Sequence, residues 1–551
     1  MNFFEEVKKL TKDLVAIESI VREGQGESQV AKYIFDFYGS LDYFKTHQDQ
    51  VLLQKTEDDP VDRHNAISLV KGTKGKSRET VILMGHIDTV GVDDFHEIKD
   101  LAFNPEALPE ALKKLAISQK VREDIDSGNY LFGRGALDMK SGVAGHMAMM
   151  KYFSEHPEEL EGNLIHLAEC DEEDNSHGAI SALRVLEDWK DKFDLDYIAA
   201  INADYSIPND QDGESRNIYL GTIGKLLPSF YVYGKETHVG EPFGGLDPNQ
   251  IMAQLTRQIN LNVALCDEDQ GELAPPPMGL KQADSKIGYT VQTALAAYGY
   301  FNYFTHAMSP KEVMDRVEKV AVQAFDQVIE DINQNYKTYC QLKGLVYRPR
   351  PWKTRVYTFK DFYRQLEEKW GPDFTRAYAS YTQALHEGAR DLDLRLFSNQ
   401  VIQWMWENWV EDKSPAIIIY FGSVYSAPIQ IRGEEAGEKR LLEALDQAII
   451  EAQKTYDKKI YTKYFYPFIS DSSFMKVSDD EEGLRALEDN MPAWGSKYIH
   501  PSQAIKKINV PVINIGTVGY DGHKITERVD MDYTFRVVPD ILYRTLKALV
   551  G

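Results

Sequence analysis

The first two hundred residues alternate between two hydrophobic patterns. Apolar residues recur at helical spacing in 27–38 and in the stretch that follows Met139. Short apolar runs typical of buried strands occupy 81–84, 164–168 and 197–201, and a similar run, 510–515, lies near the other end of the chain. Helices that alternate with such strands predict an α/β fold with a mixed, largely parallel sheet flanked by helices.

Histidine or acidic residues follow each of these strands within a few positions. They are His86, Asp88, Glu172, Glu173, Asp204 and His523. In a parallel sheet, ligands collect beyond the carboxyl ends of the strands. We therefore expect these six side chains to share one edge of the sheet.

Asp138 stands at a predicted strand-to-helix junction, in the sequence LFGRGALDMKSG (131–142). Taken alone, an aspartate at such a junction is more often a helix cap. Together with His86, Glu173, Asp204 and His523 it gives a set of two imidazoles and three carboxylates, the mixed nitrogen and oxygen ligands that suit zinc. The set predicts a site for two divalent metal ions, with Asp138 between them, His86, Glu173, Asp204 and His523 around them, and room for a shared water.

The remaining residues of this edge suggest supporting roles. His86 and Asp88 are two positions apart, so Asp88 can hold one imidazole nitrogen while the other binds metal; a buried histidine satisfied by its neighbour is the alternative. Glu172 and Glu173 are adjacent, and one can act as the general base while the other binds metal. We assign Glu172 as the base, although four acidic residues in a row (171–174) are also typical of a solvated turn.

Composition limits the classes of partner and compartment. The 551 residues are enough for more than one core, and their net charge of −24 argues against nucleic acid or an anionic membrane surface as a partner. Three widely spaced cysteines fit a reducing compartment. Apolar residues at helical spacing in 3–14 predict an amphipathic helix rather than a signal peptide. We expect a cytoplasmic protein with a small-molecule substrate and with no nucleic-acid or membrane partner.

The motifs GHIDTV, GRGALDMKSG, DEED and GHKITERV occur in this order, with an acidic residue after the third predicted strand. The series resembles the co-catalytic zinc metallopeptidase family of succinyl-diaminopimelate desuccinylase, acetylornithine deacetylase, aminoacylase and carboxypeptidase G. By length the chain looks most like the arginine-utilisation branch of that family. The resemblance implies a zinc exopeptidase-like catalytic domain in which His86 and Asp204 hold one zinc, Glu173 and His523 the other, and Asp138 bridges them.

The resemblance also implies an inserted α+β lid. We place the lid at 218–432, between catalytic parts 1–217 and 433–551. His238 matches the family position whose imidazole reaches an active site, often that of the partner subunit, to polarise the scissile carbonyl; a plain surface histidine is the alternative. The lid can mediate a homodimer, or its greater length can cover the site within one chain and leave a monomer.

Two patterns inside the lid predict local structure. Ser309 and Glu312 form a capping box at the start of a long helix, whose core face should be Val313, Val317, Ala321, Ala324, Val328 and Ile332. The aromatic run YGYFNYF (298–304) either packs in the core or lines a substrate pocket.

These patterns together predict a metal-dependent hydrolase. The expected reaction is cleavage of an amide bond in an N-acyl amino acid or short peptide, with Glu172 as base and His238 with zinc stabilising the oxyanion. A dipeptidase or exopeptidase is one alternative. A metal-dependent binding protein that has kept the fold without turnover is the other.

Overall fold

The computed structural model describes residues 3–208, 214–468 and 470–551. The chain divides into two compact units. The first comprises Met1–Thr222, Ile429–Val477 and Pro501–Gly551, and the second comprises Ile223–Pro428 and Ser478–His500. The second unit is therefore inserted in sequence between parts of the first.

A mixed eight-stranded sheet forms the centre of the first unit. Its strands, in spatial order, are Val51–Lys55, His64–Lys71, Asn163–Glu169, Glu79–His86, Asp196–Asn202, Val512–Asn514, Arg216–Tyr219 and Ile460–Lys463. The central strand Glu79–His86 pairs in parallel with both of its neighbours, and it is buried apart from its first residue. A strand buried on both faces needs a continuous apolar run, which residues 81–84 supply.

Helices flank this sheet, and the predicted α/β class is confirmed. The helices of the first unit are Phe4–Val15, Gly26–Ser40, Asp42–Thr46, Leu108–Leu112, Gln119–Ser127, Lys140–Glu155, His177–Lys192, Ala436–Tyr456, Ser502–Ile508 and Val538–Val550. A small antiparallel sheet joins Tyr130–Phe132 to Arg528–Asp530 and Gly519–Tyr520. It connects the segment before Asp138 with the segment around His523. No helix in the described ranges is long and apolar enough to cross a bilayer.

One part of the first unit was not predicted from the hydrophobic pattern. Residues 93–127 form short helical segments around a separate buried cluster that includes Phe95, Leu108, Leu112 and Val121. Each of these helices is too short to show a clear apolar period. The sequence signal was therefore weak although the cluster is well buried.

The second unit is built on an antiparallel sheet with one parallel edge. In spatial order the strands are Met278–Asp284, Ala296–Thr305, Pro228–Tyr233, Ala416–Phe421 and Val356–Thr358, with Gly224–Leu226 also paired to Ala296–Thr305. The helices are Pro248–Ile259, Pro310–Lys343, Phe359–Trp370, Pro372–Gly388, Leu394–Trp409 and Glu481–Asp489. The aromatic run lies in strand Ala296–Thr305, where it alternates between the core and the opposite face.

The long helix Pro310–Lys343 begins with the predicted capping box. The Ser309 side chain accepts the Glu312 backbone N–H, and the Glu312 side chain accepts the Ser309 backbone N–H. All six residues predicted for its core face are buried. Both predictions are confirmed.

Residues 478–500, which we grouped with the second catalytic part, belong to the second unit. Helix Glu481–Asp489 packs against the start of the long helix, where Gly483 lies close to Ser309 and Pro310. The backbone N–H of Phe421 also donates to the carbonyl of Asn490 at 2.9 Å. These contacts explain the assignment of 478–500, while the roles of the two units as catalytic domain and lid stay predictions.

Two histidines lie in the core of the first unit in an environment that disfavours their charged form. His146 is buried, and neither of its ring nitrogens has a hydrogen-bond partner in the described part of the chain. His166 packs edge-on against it and pairs through Nδ1 with the Tyr38 hydroxyl at 2.7 Å. Burial lowers the pKa of His146 to about 3 and lowers the pKa of His166 well below its ordinary value.

We expect the replacement His146→Leu to make the protein less sensitive to acid. An unfolded histidine binds a proton near pH 6.5, whereas folded His146 does so only near pH 3, so the wild type loses stability as the pH falls through this window. The slope of the unfolding free energy against pH should decrease by up to about 1.4 kcal/mol per pH unit. Urea titrations between about pH 6.5 and 4 measure this slope. The exposed His96 provides the control His96→Gln, and equal slopes in all three proteins would contradict the prediction.

Candidate metal centre and active site

Parallel pairing brings the carboxyl ends of three strands to one edge of the sheet. His86 is in register with Glu169, and Met84 is in register with Asn202. The turn after Glu169 and the residue Asp204 after the next strand therefore leave the sheet at the same end as His86.

Asp138 is the residue that connects the two histidines of the group. His86 Nε2 lies 2.9 Å from Asp138 Oδ1, and His523 Nε2 lies 2.8 Å from Asp138 Oδ2. His523 Nε2 is also 3.2 Å from Glu173 Oε1. Ligand atoms of His86, Asp138 and Glu173 all lie within 4.8 Å of one another. Burial alone would raise the pKa of Asp138, but its hydrogen bonds with His523 and His86 outweigh burial and lower it.

Two more carboxylates face this group. Glu172 Oε2 is 4.0 Å from His86 Nε2. Burial raises the pKa of Glu172 well above its ordinary value; His86 opposes this shift, while Glu173 adds to it. Burial and the charge of Asp138 raise the pKa of Asp204 to about 8. Several carboxyl groups are thus buried close together, in surroundings that disfavour their ionised forms in the absence of a cation.

Asp88 positions both the histidine and the acidic turn. Its Oδ1 accepts the backbone N–H of Glu172 at 3.2 Å, and its Oδ2 accepts that of Glu173 at 3.0 Å. The carbonyl oxygen of Asp88 lies 3.2 Å from His86 Nδ1, closer than its carboxylate at 3.6 Å. The backbone of Asp88 therefore contacts the imidazole, and its carboxylate mainly holds the turn, a task that the sequence did not suggest.

Asn514, at the end of a neighbouring strand, fixes the backbone of Asp204. Its side-chain oxygen accepts the Asp204 N–H at 2.9 Å, and its side-chain nitrogen donates to the Asp204 carbonyl at 2.8 Å. A Cβ atom at Gly516 would lie 1.6 Å from the same carbonyl. Only glycine permits this approach, so Gly516 and Asn514 together set the position of Asp204.

His238 belongs to the second unit. It lies exposed after strand Pro228–Tyr233, and its Nδ1 accepts the backbone N–H of Gly240 at 3.0 Å. The other seven predicted site residues belong to the first unit. A part for His238 in catalysis stays a prediction.

Residues 82–548 match the family model described as peptidase family M20/M25/M40. The chain belongs to this family. The resemblance found in the sequence motifs is therefore confirmed, and the protein is a metallohydrolase that acts on amide bonds.

Individual relatives agree with this placement in the M20/M25/M40 peptidases. Protein RocB of Bacillus subtilis is 34% identical over 545 residues, 99% of this chain and 95% of the relative. A succinyl-diaminopimelate desuccinylase of Bradyrhizobium is 27% identical over 292 residues, which cover 52% of this chain and 64% of that enzyme. The crystal structure of aminopeptidase PepT from Bacillus cereus has a TM-score of 0.53 at 11% identity, covering 100% of this chain and 99% of PepT, and it shares the fold.

The donors at this edge of the M20/M25/M40 peptidase fit divalent metal ions. Imidazole nitrogens and carboxylate oxygens are the ligands that zinc and neighbouring divalent cations prefer. Burial raises the pKa values of Glu172, Glu173 and Asp204, and neighbouring carboxylates raise each of them further. Nearby cations would stabilise the ionised forms of all three residues.

Arg134 and Glu527 support the Asp138 loop, and neither was assigned this task from the sequence. Glu527 Oε1 accepts the backbone N–H groups of Leu137 at 3.1 Å and Asp138 at 3.3 Å. Its Oε2 accepts a hydrogen bond of 2.7 Å from Arg134, and both side chains are 1% exposed. Glu527 follows His523 by only four positions in the sequence. Its side-chain hydrogen bonds are with Arg134 and with the backbone of the loop that carries Asp138.

A second buried network supports the turn that carries Glu172. The Asp171 carboxylate pairs with the Arg63 guanidinium, and the Asp171 backbone N–H donates to Glu27 Oε1 at 3.0 Å. His177 Nδ1 lies 2.5 Å from Asp171 Oδ2. Because Asp171 immediately precedes Glu172, these contacts fix the start of the acidic turn. The run of four acidic residues is thus not the solvated turn considered as an alternative.

We expect Arg134→Met to lower the free energy of unfolding by about 3–5 kcal/mol at pH 8, because it leaves Glu527 buried without its cation. Burial raises the pKa of Glu527 to about 7 even though Arg134 opposes the shift, so removal of Arg134 should raise that pKa further. The loss should therefore be smaller at about pH 6, where Glu527 is protonated in the variant. Urea unfolding at both pH values measures the effect.

The double variant Arg134→Met, Glu527→Gln should lose less stability than the sum of the two single variants. The surface pair of Arg184 with Glu57 offers the control Arg184→Met, with an expected loss below about 1 kcal/mol. Additive losses in the double variant would refute the coupling.

Proposed function

We propose that this chain hydrolyses the amide bond of an N-acyl amino acid or a short peptide at a centre of two divalent metal ions, with zinc as the expected metal. The observation that carries the proposal is the convergence of His86, Asp138, Glu173 and His523, with the buried carboxylate of Glu172 beside them. Membership of the M20/M25/M40 peptidases supports the same reaction class.

His86 and Asp204 would hold one ion, Glu173 and His523 the other, and Asp138 both. The position of Asp138 supports the bridging role, because each of its two oxygens faces a different histidine. When bound, such ions lower the pKa of water and polarise a carbonyl group. Asp88 would keep the Nε2 atom of His86 turned toward Asp138 by contacting the opposite ring nitrogen.

Glu172 would act as the general base and then as the general acid. Its raised pKa suits a carboxylate that takes a proton from the attacking water and returns it to the leaving amine. Asp88 holds the backbone of Glu172, so the carboxylate is presented from a fixed turn. His238 would donate a hydrogen bond to the developing oxyanion.

The variant Glu172→Gln should retain its metal and lose turnover by roughly 10²–10⁴-fold, because an amide cannot accept the proton. Metal content is measured by atomic emission and turnover by amine release. The exposed Glu110 supplies the control Glu110→Gln, which should keep full activity. Retained turnover in Glu172→Gln would reject its role as base.

A substrate panel decides between the chemical classes. It should contain acetylated and succinylated amino acids, including Nα-acetyl-arginine, beside unblocked dipeptides. Preference for acylated amino acids would identify a deacylase, and preference for dipeptides would identify a dipeptidase. Stoichiometric metal without hydrolysis of any member would reject N-acyl amino acids and short peptides as the substrate class.

We also propose a homodimer formed through the second unit. Strand Met278–Asp284 lies at one edge of its sheet and is largely exposed. The adjoining residues Ile287 and Tyr289 are 106% and 91% exposed. An exposed edge strand with apolar neighbours favours pairing with a second copy.

If the dimer shares its sites, Glu172→Gln and His238→Ala should complement each other. Neither homodimer should turn over substrate, but a mixed dimer would hold one site with both residues intact, giving about a quarter of wild-type activity after subunit exchange. The activity of refolded one-to-one mixtures measures this, and light scattering gives the mass. Absence of complementation in a confirmed dimer would place His238 in the site of its own chain, and a monomer would refute the dimer.

A further inference from the structure

The second unit contains a cavity of about 490 Å³ on one face of its sheet. Its lining comes from strands Gly224–Leu226, Met278–Asp284 and Ala296–Thr305 and from the start of helix Leu394–Trp409. Its volume lies in the range of small-molecule sites. The catalytic proposal uses none of its lining residues.

The charge of this cavity is opposite to that of the chain as a whole. Lys225, Lys281 and Arg395 line it, against a single carboxylate, Asp393, in a chain with a net charge of −24. A concave lining in which cations outnumber carboxylates attracts anions and raises their local concentration.

The one carboxylate is already engaged by the protein. Asp393 accepts the backbone N–H groups of Arg395 at 2.9 Å and Leu396 at 3.3 Å, so it caps helix Leu394–Trp409. Both of its oxygens also accept hydrogen bonds from the Arg395 guanidinium, which reaches Ser423 Oγ at 3.2 Å. The hydrogen bonds with Arg395 outweigh burial and lower the pKa of Asp393. Asp393 therefore orients Arg395, and Lys225 and Lys281 are the other cationic side chains of the lining.

The other walls are aromatic and apolar. Tyr298 and Tyr300 come from the face of the aromatic strand that lies opposite its buried residues. Leu227, Leu280 and Leu396 complete the lining, and Leu280 and Leu396 are 54% and 42% exposed. Such walls favour a ligand with an apolar body, and they disfavour a strongly hydrated inorganic anion.

We infer that this cavity binds a small organic carboxylate with an aromatic or aliphatic body. The carboxylate lies against Lys225 and Lys281, and the apolar body lies against the tyrosine and leucine walls. A doubly charged phosphate is less suited, because it would meet both the apolar walls and the carboxylate of Asp393. This site goes beyond the proposed catalytic function and does not depend on it.

Benzoate is a suitable probe, tested with the full-length protein by equilibrium dialysis. Benzoate should bind more tightly than acetate, which lacks the ring, and at least roughly tenfold more tightly than neutral benzamide, which lacks the charge. Phosphate binding as tight as that of benzoate would overturn the assignment to organic carboxylates. Binding should persist after chelation of metal; its loss would place benzoate at the metal centre and overturn the inference.

Variants of the lining complete the test. Lys225→Gln and Lys281→Gln should each weaken benzoate roughly tenfold, and Leu396→Glu, which adds a negative charge at an exposed position, should abolish binding. Lys337, which is exposed on the long helix outside the cavity, provides the control Lys337→Gln with unchanged affinity. Circular dichroism and thermal melting confirm that the variants are folded. Unchanged binding in folded Lys281→Gln and Leu396→Glu would refute the site.

Discussion

The burial of several carboxyl groups at one edge of the sheet is the constraint on which the first unit depends. Asp138, Glu172, Glu173 and Asp204 occupy a largely dehydrated space, where each ionised carboxylate needs a cation or a hydrogen-bond donor. The protein supplies two imidazoles to Asp138 and leaves the other carboxylates with raised pKa values. The parallel strands bring these carboxyl groups to one edge of the sheet, and such a cluster is suited to binding cations.

The supporting residues act mainly on the backbone. Asp88 accepts the N–H groups of the acidic turn, and Asn514 bonds to both the N–H and the carbonyl group of Asp204. Glu527 accepts the N–H groups of Leu137 and Asp138. Fixing the main chain leaves the side chains free to face the centre of the group. The supporting residues therefore fix the geometry of the site through its backbone, and they leave the side-chain atoms that could bind metal unoccupied by these contacts.

The residues at the strand ends could be predicted because the sequence shows both the apolar runs that form strands and the histidine or acidic residues that follow them. His86 and Asp204 follow apolar runs, and parallel pairing needs only those runs to bring them together. The partner of Glu527 could not be predicted, because no pattern reveals which buried N–H groups lack an acceptor. Glu527 is four positions from His523 in the sequence, but the structure joins it to the Asp138 loop, which lies nearly four hundred positions away. The helices of 93–127 were missed because each is shorter than the window that periodicity needs.

The pairing of Arg134 with Glu527 spans 393 residues. The two partners therefore come from distant parts of the sequence, and the pair cannot form before the segment with Glu527 has been synthesised. During synthesis, the loop that carries Asp138 leaves the ribosome long before its acceptor does. A nascent chain therefore cannot complete this part of the fold until the segment with Glu527 has left the ribosome.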